Sequence, residues 1–171
     1  MSKGLVILSH GLESGPAATK VSAMAAVARE LGWDEVRPDY RDLDATQDAR
    51  RIDDRIERLR AHAPRDGRPW VLCGSSMGAF ISGFVSMQLQ PAGLFLLAPP
   101  LSIPGYARRF DAARVPTCIV HGWDDELIPA EDVIAFARDR AAALHLVDDS
   151  HRLADHVQTI ARWFGQWLEL R

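Results

Sequence analysis

Cysteine, lysine and long apolar runs are all scarce in this sequence, and each shortage narrows what the chain can be. Only 2 cysteines occur in 171 residues. Cys73 and Cys118 each lie inside an apolar run, Val71-Leu72-Cys73 and Cys118-Ile119-Val120. Both read as buried strand residues rather than a disulfide framework, so a reducing compartment fits. No stretch approaches the roughly 20 apolar residues of a membrane helix. The apolar opening Gly4-Leu5-Val6-Ile7-Leu8 is too short for the core of a signal peptide and lacks a cleavage site. A cytoplasmic location with no membrane partner is the expectation. Of the 20 cationic side chains all but two are arginine, from which no function follows.

Other absences exclude whole classes of function. The formal net charge is −3, and no zinc-finger, RNP or helix-turn-helix pattern occurs, so nucleic acid is not an expected partner. There is no H-E-x-x-H, no C-x-x-C and no clustered Cys/His to suggest a metal. Neither G-x-x-x-x-G-K-[ST] nor G-x-G-x-x-G is present to suggest a nucleotide. The expected cofactor is none. No repeat, low-complexity tract or interdomain linker breaks the chain, which reads as one domain over 1–171.

What is present is an alternation of short apolar runs and helical periods. The runs are Leu5–Leu8, Glu35–Arg37, Trp70–Cys73, Leu94–Leu97, Thr117–Val120 and Leu144–Val147. Several are nearly continuous in apolar residues, as parallel strands covered on both faces require. A first helical stripe carries Ala17, Val21, Met24, Ala28 and Leu31, with Pro16 suiting its first turn and Gly32 its C′ position. A second carries Ala49, Ile52, Ile56 and Leu59, and its charged residues, Arg55 and Arg58 among them, read as a solvated face. The third begins at Met77 and uses Ile81, Phe84, Val85 and Leu89. A fourth follows Pro129 through Val133 and Ala137, and the last carries Val157, Ile160, Phe164 and Leu168. Parallel strands need crossovers, so this order predicts an α/β fold, a doubly wound, mainly parallel six-stranded sheet with helices on both faces. The irregular segment Pro99–Arg114 is expected to lay at most a short helix over the top of the sheet, and it is too short for a cap domain.

One motif carries chemistry. Gly74-Ser75-Ser76-Met77-Gly78 matches G-x-S-x-G, with a strand before it and a helical period after it. The glycines serve a tight strand-to-helix turn that lifts the central serine above the sheet edge, and the following helix points its first amides at developing negative charge. The frame selects Ser76 over Ser75.

At this motif the chain resembles the α/β-hydrolase superfamily, and three further segments match in order. Leu8-Ser9-His10-Gly11-Leu12 resembles the loop that completes the oxyanion hole. The resemblance implies the backbone amides of Leu12 and Met77 as its donors, with His10 shaping the loop. His121-Gly122-Trp123-Asp124-Asp125-Glu126-Leu127-Ile128-Pro129 is similar to the family's H-G-x-x-D-x-x-V-P stretch. That register makes Asp125 the triad acid, with Asp124 its competitor and His121 holding the loop. Asp148-Asp149-Ser150-His151-Arg152 corresponds to the loop of the triad histidine. His151 is then the base, ahead of His156 in the closing helix, His145 in a strand and His62 on the charged helix. The order Ser76, Asp125, His151 is that of the fold.

The resemblance spans nearly the whole chain, and it implies that the family's first two antiparallel strands and its cap are missing. The chain looks similar to small, lidless bacterial esterases, a minimal α/β-hydrolase fold. The function implied is serine hydrolysis of small carboxylic esters, with thioesters as a variant, by a monomer or homodimer. Leu12, Met77, Leu101 and Trp123 are candidates to line an acyl pocket. The rival reading is a noncatalytic binding module that keeps the fold.

Overall fold

Six short segments, five of them mainly apolar, form the strands of one sheet in a computed structural model that describes residues 1–171. The strands are β1 (Leu5–Ser9), β2 (Asp34–Val36), β3 (Trp70–Ser75), β4 (Leu94–Leu97), β5 (Thr117–Gly122) and β6 (Ala143–Val147). Every pairing between them is parallel, and the order is β2-β1-β3-β4-β5-β6. The helices are α1 (Thr19–Glu30), α2 (Arg41–Asp44), α3 (Arg51–Ala61), α4 (Met77–Leu89), α5 (Ala130–Arg140) and α6 (Val157–Leu168).

Alternate residues of the central strands feed two separate cores. Val6, Leu8, Cys73, Phe95 and Val120 pack with Met24 of α1 and Phe164 of α6 on one face. Leu5, Ile7, Leu72, Leu96 and Ile119 pack with Ile56 of α3, Phe80 of α4 and Val133 of α5 on the other. A sheet covered on both faces has no room for polar alternation, which is why its strands read as unbroken apolar runs. The fold is the expected doubly wound α/β architecture.

The topology also creates a crevice. From β1 the chain steps outward to β2, then returns to β3 on the other side of β1. The connections leaving β1 and β3 therefore diverge to opposite faces, and the gap beyond their carboxyl ends is where such sheets bind ligands.

Several local expectations differ from the structure. The first helix begins at Thr19, two residues after the apolar stripe starts, although Gly32 does take the left-handed conformation (φ +82°) of a C′ residue. The four residues of α2 carry one apolar side chain, Leu43, too little to show a period. The Pro99–Arg114 segment forms no helix. It is a turn and extended chain closed by hydrogen bonds from Tyr106 N to Ile103 O and from Phe110 N to Leu101 O. The charged face of α3 is not uniformly solvated: Arg55 is only 2% exposed. Cys73 and Cys118 are buried and free. No helix is long and apolar enough to cross a membrane.

Candidate active site

Ser76 sits between β3 and α4 at φ 52° and ψ −115°, a conformation that a non-glycine residue adopts only under strain. Two glycines make the turn possible. A Cβ on Gly74 would stand 2.3 Å from the Gly78 carbonyl, and one on Gly78 would stand 2.0 Å from the Ser9 carbonyl. The motif is therefore a requirement of backbone on backbone, because α4 starts in direct contact with the end of β1.

The other candidate residues converge on this turn from distant parts of the chain. Ser76 Oγ donates to His151 Nε2 at 2.9 Å, and His151 Nδ1 donates to Asp125 Oδ2 at 2.8 Å. Asp125 lies in the loop after β5 and its side chain has no exposed surface. Its Oδ1 accepts from the amides of Leu127 (2.9 Å) and Ile128 (2.8 Å). Burial alone would raise the Asp125 carboxyl. The donations from His151 and the two amides outweigh it and hold the group below its usual range, so it stays ionised.

Each candidate takes a distinct place. Ser75, Asp124 and His156 stand outside this hydrogen-bonded chain. His156 lies in a 3-10 turn before α6 instead of within it, and its Nδ1 meets Asp149 Oδ2 at 2.9 Å. His145 stacks on Trp163, and His62 follows the end of α3. His10 is fully buried, donating from Nδ1 to the Gly11 carbonyl (2.8 Å) and accepting the Tyr40 amide at Nε2 (3.0 Å). His121 is likewise buried, and its Nε2 donates to the Ile128 carbonyl at 3.0 Å. Burial lowers both imidazoles below their ordinary value, which keeps them neutral structural pins of their loops.

The Leu12 amide has no acceptor within the chain, and Met77 opens α4, where a helix's first amides have no intrahelical partner. Leu12 and Met77 also line a cavity of about 270 Å³ in the crevice between the β1 and β3 connections. Leu43, Ile52 and Ile103 add apolar lining, and Asp44, Gln47 and Arg55 add polar groups. Trp123, by contrast, is 54% exposed and does not line this cavity, nor does Leu101. No group of three or more His, Cys, Asp or Glu side chains is placed to hold a metal ion.

Three features of the site leave little or no mark in the residue spacing. Glu126 Oε2 accepts the His151 amide at 3.1 Å. Asp149, 8% exposed, accepts the Ser150 (2.8 Å) and Asp155 (3.0 Å) amides as well as His156, bracing the loop that carries His151. Arg55 forms an ion pair with Asp44, with side chains 2% and 8% exposed. Burial pulls Arg55 down to about 10, still charged at neutral pH. The spacing held one signal for it: position 55 falls between Ile52 and Leu59, beside Ile56, on the inward stripe of the helix.

The chain matches the family described as "Alpha/beta hydrolase domain" over residues 2–162. A protein from Xanthomonas campestris pv. campestris assigned to the hydrolases of the alpha/beta superfamily is 48% identical, with a TM-score of 0.91 over 98% of this chain and 99% of that one. A lidless serine hydrolase from the same species is 20% identical, with a TM-score of 0.73 over 98% and 82% of the two chains. An esterase from Pyrococcus furiosus is 17% identical, with a TM-score of 0.75 over 98% and 83%. The last two likenesses concern the fold alone. No curated protein matches the chain significantly.

Proposed function

Because the chain belongs to the alpha/beta hydrolase family, we propose that it is a serine hydrolase that cleaves small carboxylic esters through an acyl-enzyme. The observation that carries this reading is the bridging position of His151, with Nε2 at 2.9 Å from Ser76 Oγ and Nδ1 at 2.8 Å from Asp125. In that geometry Ser76 Oγ attacks the ester carbonyl as its proton passes to His151 Nε2. Asp125 fixes the tautomer and stabilises the imidazolium. The amides of Leu12 and Met77 receive the oxyanion. His151 then protonates the leaving alcohol as the carbon–oxygen bond breaks. Water, deprotonated by the same nitrogen, attacks the acyl-enzyme and releases the acid and free Ser76. The choice of esters over amides is supported by analogy with the Pyrococcus furiosus esterase, and thioesters follow the same steps.

A fluorophosphonate probe tests the reading. The wild type should label and hydrolyse p-nitrophenyl acetate. Ser76→Ala should do neither while keeping its thermal melt, and Ser75→Ala should remain active. An unlabelled wild type would favour a noncatalytic binding module, and an inactive Ser75→Ala beside an active Ser76→Ala would move the nucleophile.

A further inference from the structure

We infer that the cavity beside Ser76 is the acyl subsite, and that its buried Asp44–Arg55 pair selects acyl chains ending in a neutral hydrogen-bonding group over plain alkyl chains. This rests on the reading of Ser76 as nucleophile.

Sheet order assigns the side. His151 reaches Ser76 from the loop after β6, whereas most of the cavity wall comes from the loop after β1, α2 and α3, with Ile103 and Pro104 of the β4–β5 connection completing it. The leaving alcohol must sit near the imidazole that protonates it. The acyl chain then extends the other way, past Leu12 and Met77 into the cavity.

The lining carries two kinds of group. Leu43, Ile52 and Ile103 are apolar and suit a few methylene groups. Arg55 stands in the same wall, its guanidinium 5.0 Å from the centre of the Tyr40 ring and paired with Asp44. A buried ion pair adds little stability over well-packed apolar residues, so stability gives no reason for a pair on a cavity wall in place of leucine or methionine. A recognition role does.

Charge balance then selects the ligand. Of the charged groups lining the cavity, Asp44 pairs with Arg55, Asp48 with Arg50 and Arg51 with Asp54, which leaves Glu13 as the one carboxylate outside an ion pair. A terminal carboxylate would meet net negative charge. A terminal ammonium would meet the fixed guanidinium of Arg55. An amide or hydroxyl offers a donor to Asp44 and an acceptor to Arg55 at once. A long alkyl chain would strip water from the pair and return no hydrogen bond.

The test uses p-nitrophenyl esters of matched length whose acyl chains end in an acetamide, a carboxylate or plain alkyl, beside the acetate ester, which has no chain to carry a terminal group. The wild type should favour the acetamide over the alkyl ester by about tenfold or more in kcat/KM, with the carboxylate ester below both. An apolar pair, Asp44→Leu with Arg55→Met, is compatible with folding and should lose or reverse the preference. Equal rates, a preference for alkyl or carboxylate, or a folded double variant that keeps the acetamide preference would each overturn the inference. Acetate hydrolysis that depends on Ser76, without an acetamide preference, would locate the failure in the subsite. Its absence would locate the failure in the Ser76 reading and bring the subsite down with it.

Discussion

Glu126 accepts the backbone amide of His151 at 3.1 Å, while its neighbour Asp125 accepts the imidazole of the same residue at 2.8 Å. Consecutive carboxylates of one loop thus hold both the main chain and the ring of the proposed base. Glu126→Ala removes only the main-chain tether. The tether is at the surface and acts on the imidazole only through the backbone, so kcat should fall by no more than about tenfold with little change in KM. Glu126→Gln keeps an acceptor and should restore the rate. Steady-state kinetics on p-nitrophenyl acetate decide, and a Gln variant as poor as Ala would refute the tether.

Asp125→Asn should cost on the order of 10⁴-fold in kcat, the loss that follows the same change in serine proteases. The amide's NH₂ would face His151 Nδ1 and impose the wrong tautomer. Asp124→Asn, at an exposed neighbouring position, should cost far less. A reversed ranking would transfer the role of acid to Asp124.

Asp149 gives a prediction in pH. Burial alone would raise its carboxyl, but His156 and the Ser150 and Asp155 amides outweigh that and hold it below the usual range. A depressed folded value means stability that is fully present above the unfolded value, near 3.9, and is lost as pH falls through the folded one. Asp149→Asn should therefore lower unfolding free energy by about 1–3 kcal/mol at pH 7. The gap to wild type should close below about pH 4. Urea melts at several pH values measure it. A gap that widens in acid would contradict the assignment.

Plain alkyl esters should show a plateau or fall in kcat/KM beyond about four to six carbons. The cavity holds about 270 Å³ and has charged groups in its wall, and Pro99–Arg114 adds no helix to deepen it. Each fully buried methylene is worth about 0.8 kcal/mol, so a deep apolar tunnel would give a steep, sustained rise. Rates from butyrate to decanoate, taken below micellar concentrations, separate the two.

The sheet was legible because strands buried on both faces carry their own signature. Leu94–Leu97 has the same bounds in sequence and structure, and β3 and β5 run on by two residues into the polar turns that end them. The site was legible where a turn demands particular residues, as at Gly74 and Gly78. It was illegible where a side chain's role depends on what packs against it. Arg55 on a charged helix looks solvated until α2 and Tyr40 close over it. Trp123 looks like a pocket residue until the loop after β5 turns it outward. Glu126 and Asp149 serve through backbone amides, which leave no trace in residue spacing.

The missing side chain at Gly78 has one more consequence. With α4 seated on the Ser9 carbonyl, and Gly11 packed so that a Cβ there would lie 3.3 Å from Ser75 O and 3.4 Å from Ser76 Cβ, the serine turn and the loop after β1 meet with no side chain between them. In the proposed mechanism, the spacing between Ser76 Oγ and the amides of Leu12 and Met77 is then built at folding and not upon encounter with substrate. Such a catalyst has its electrostatic work done in advance. Its turnover would be governed by how the acyl group enters and the product leaves, with no closing motion to wait for.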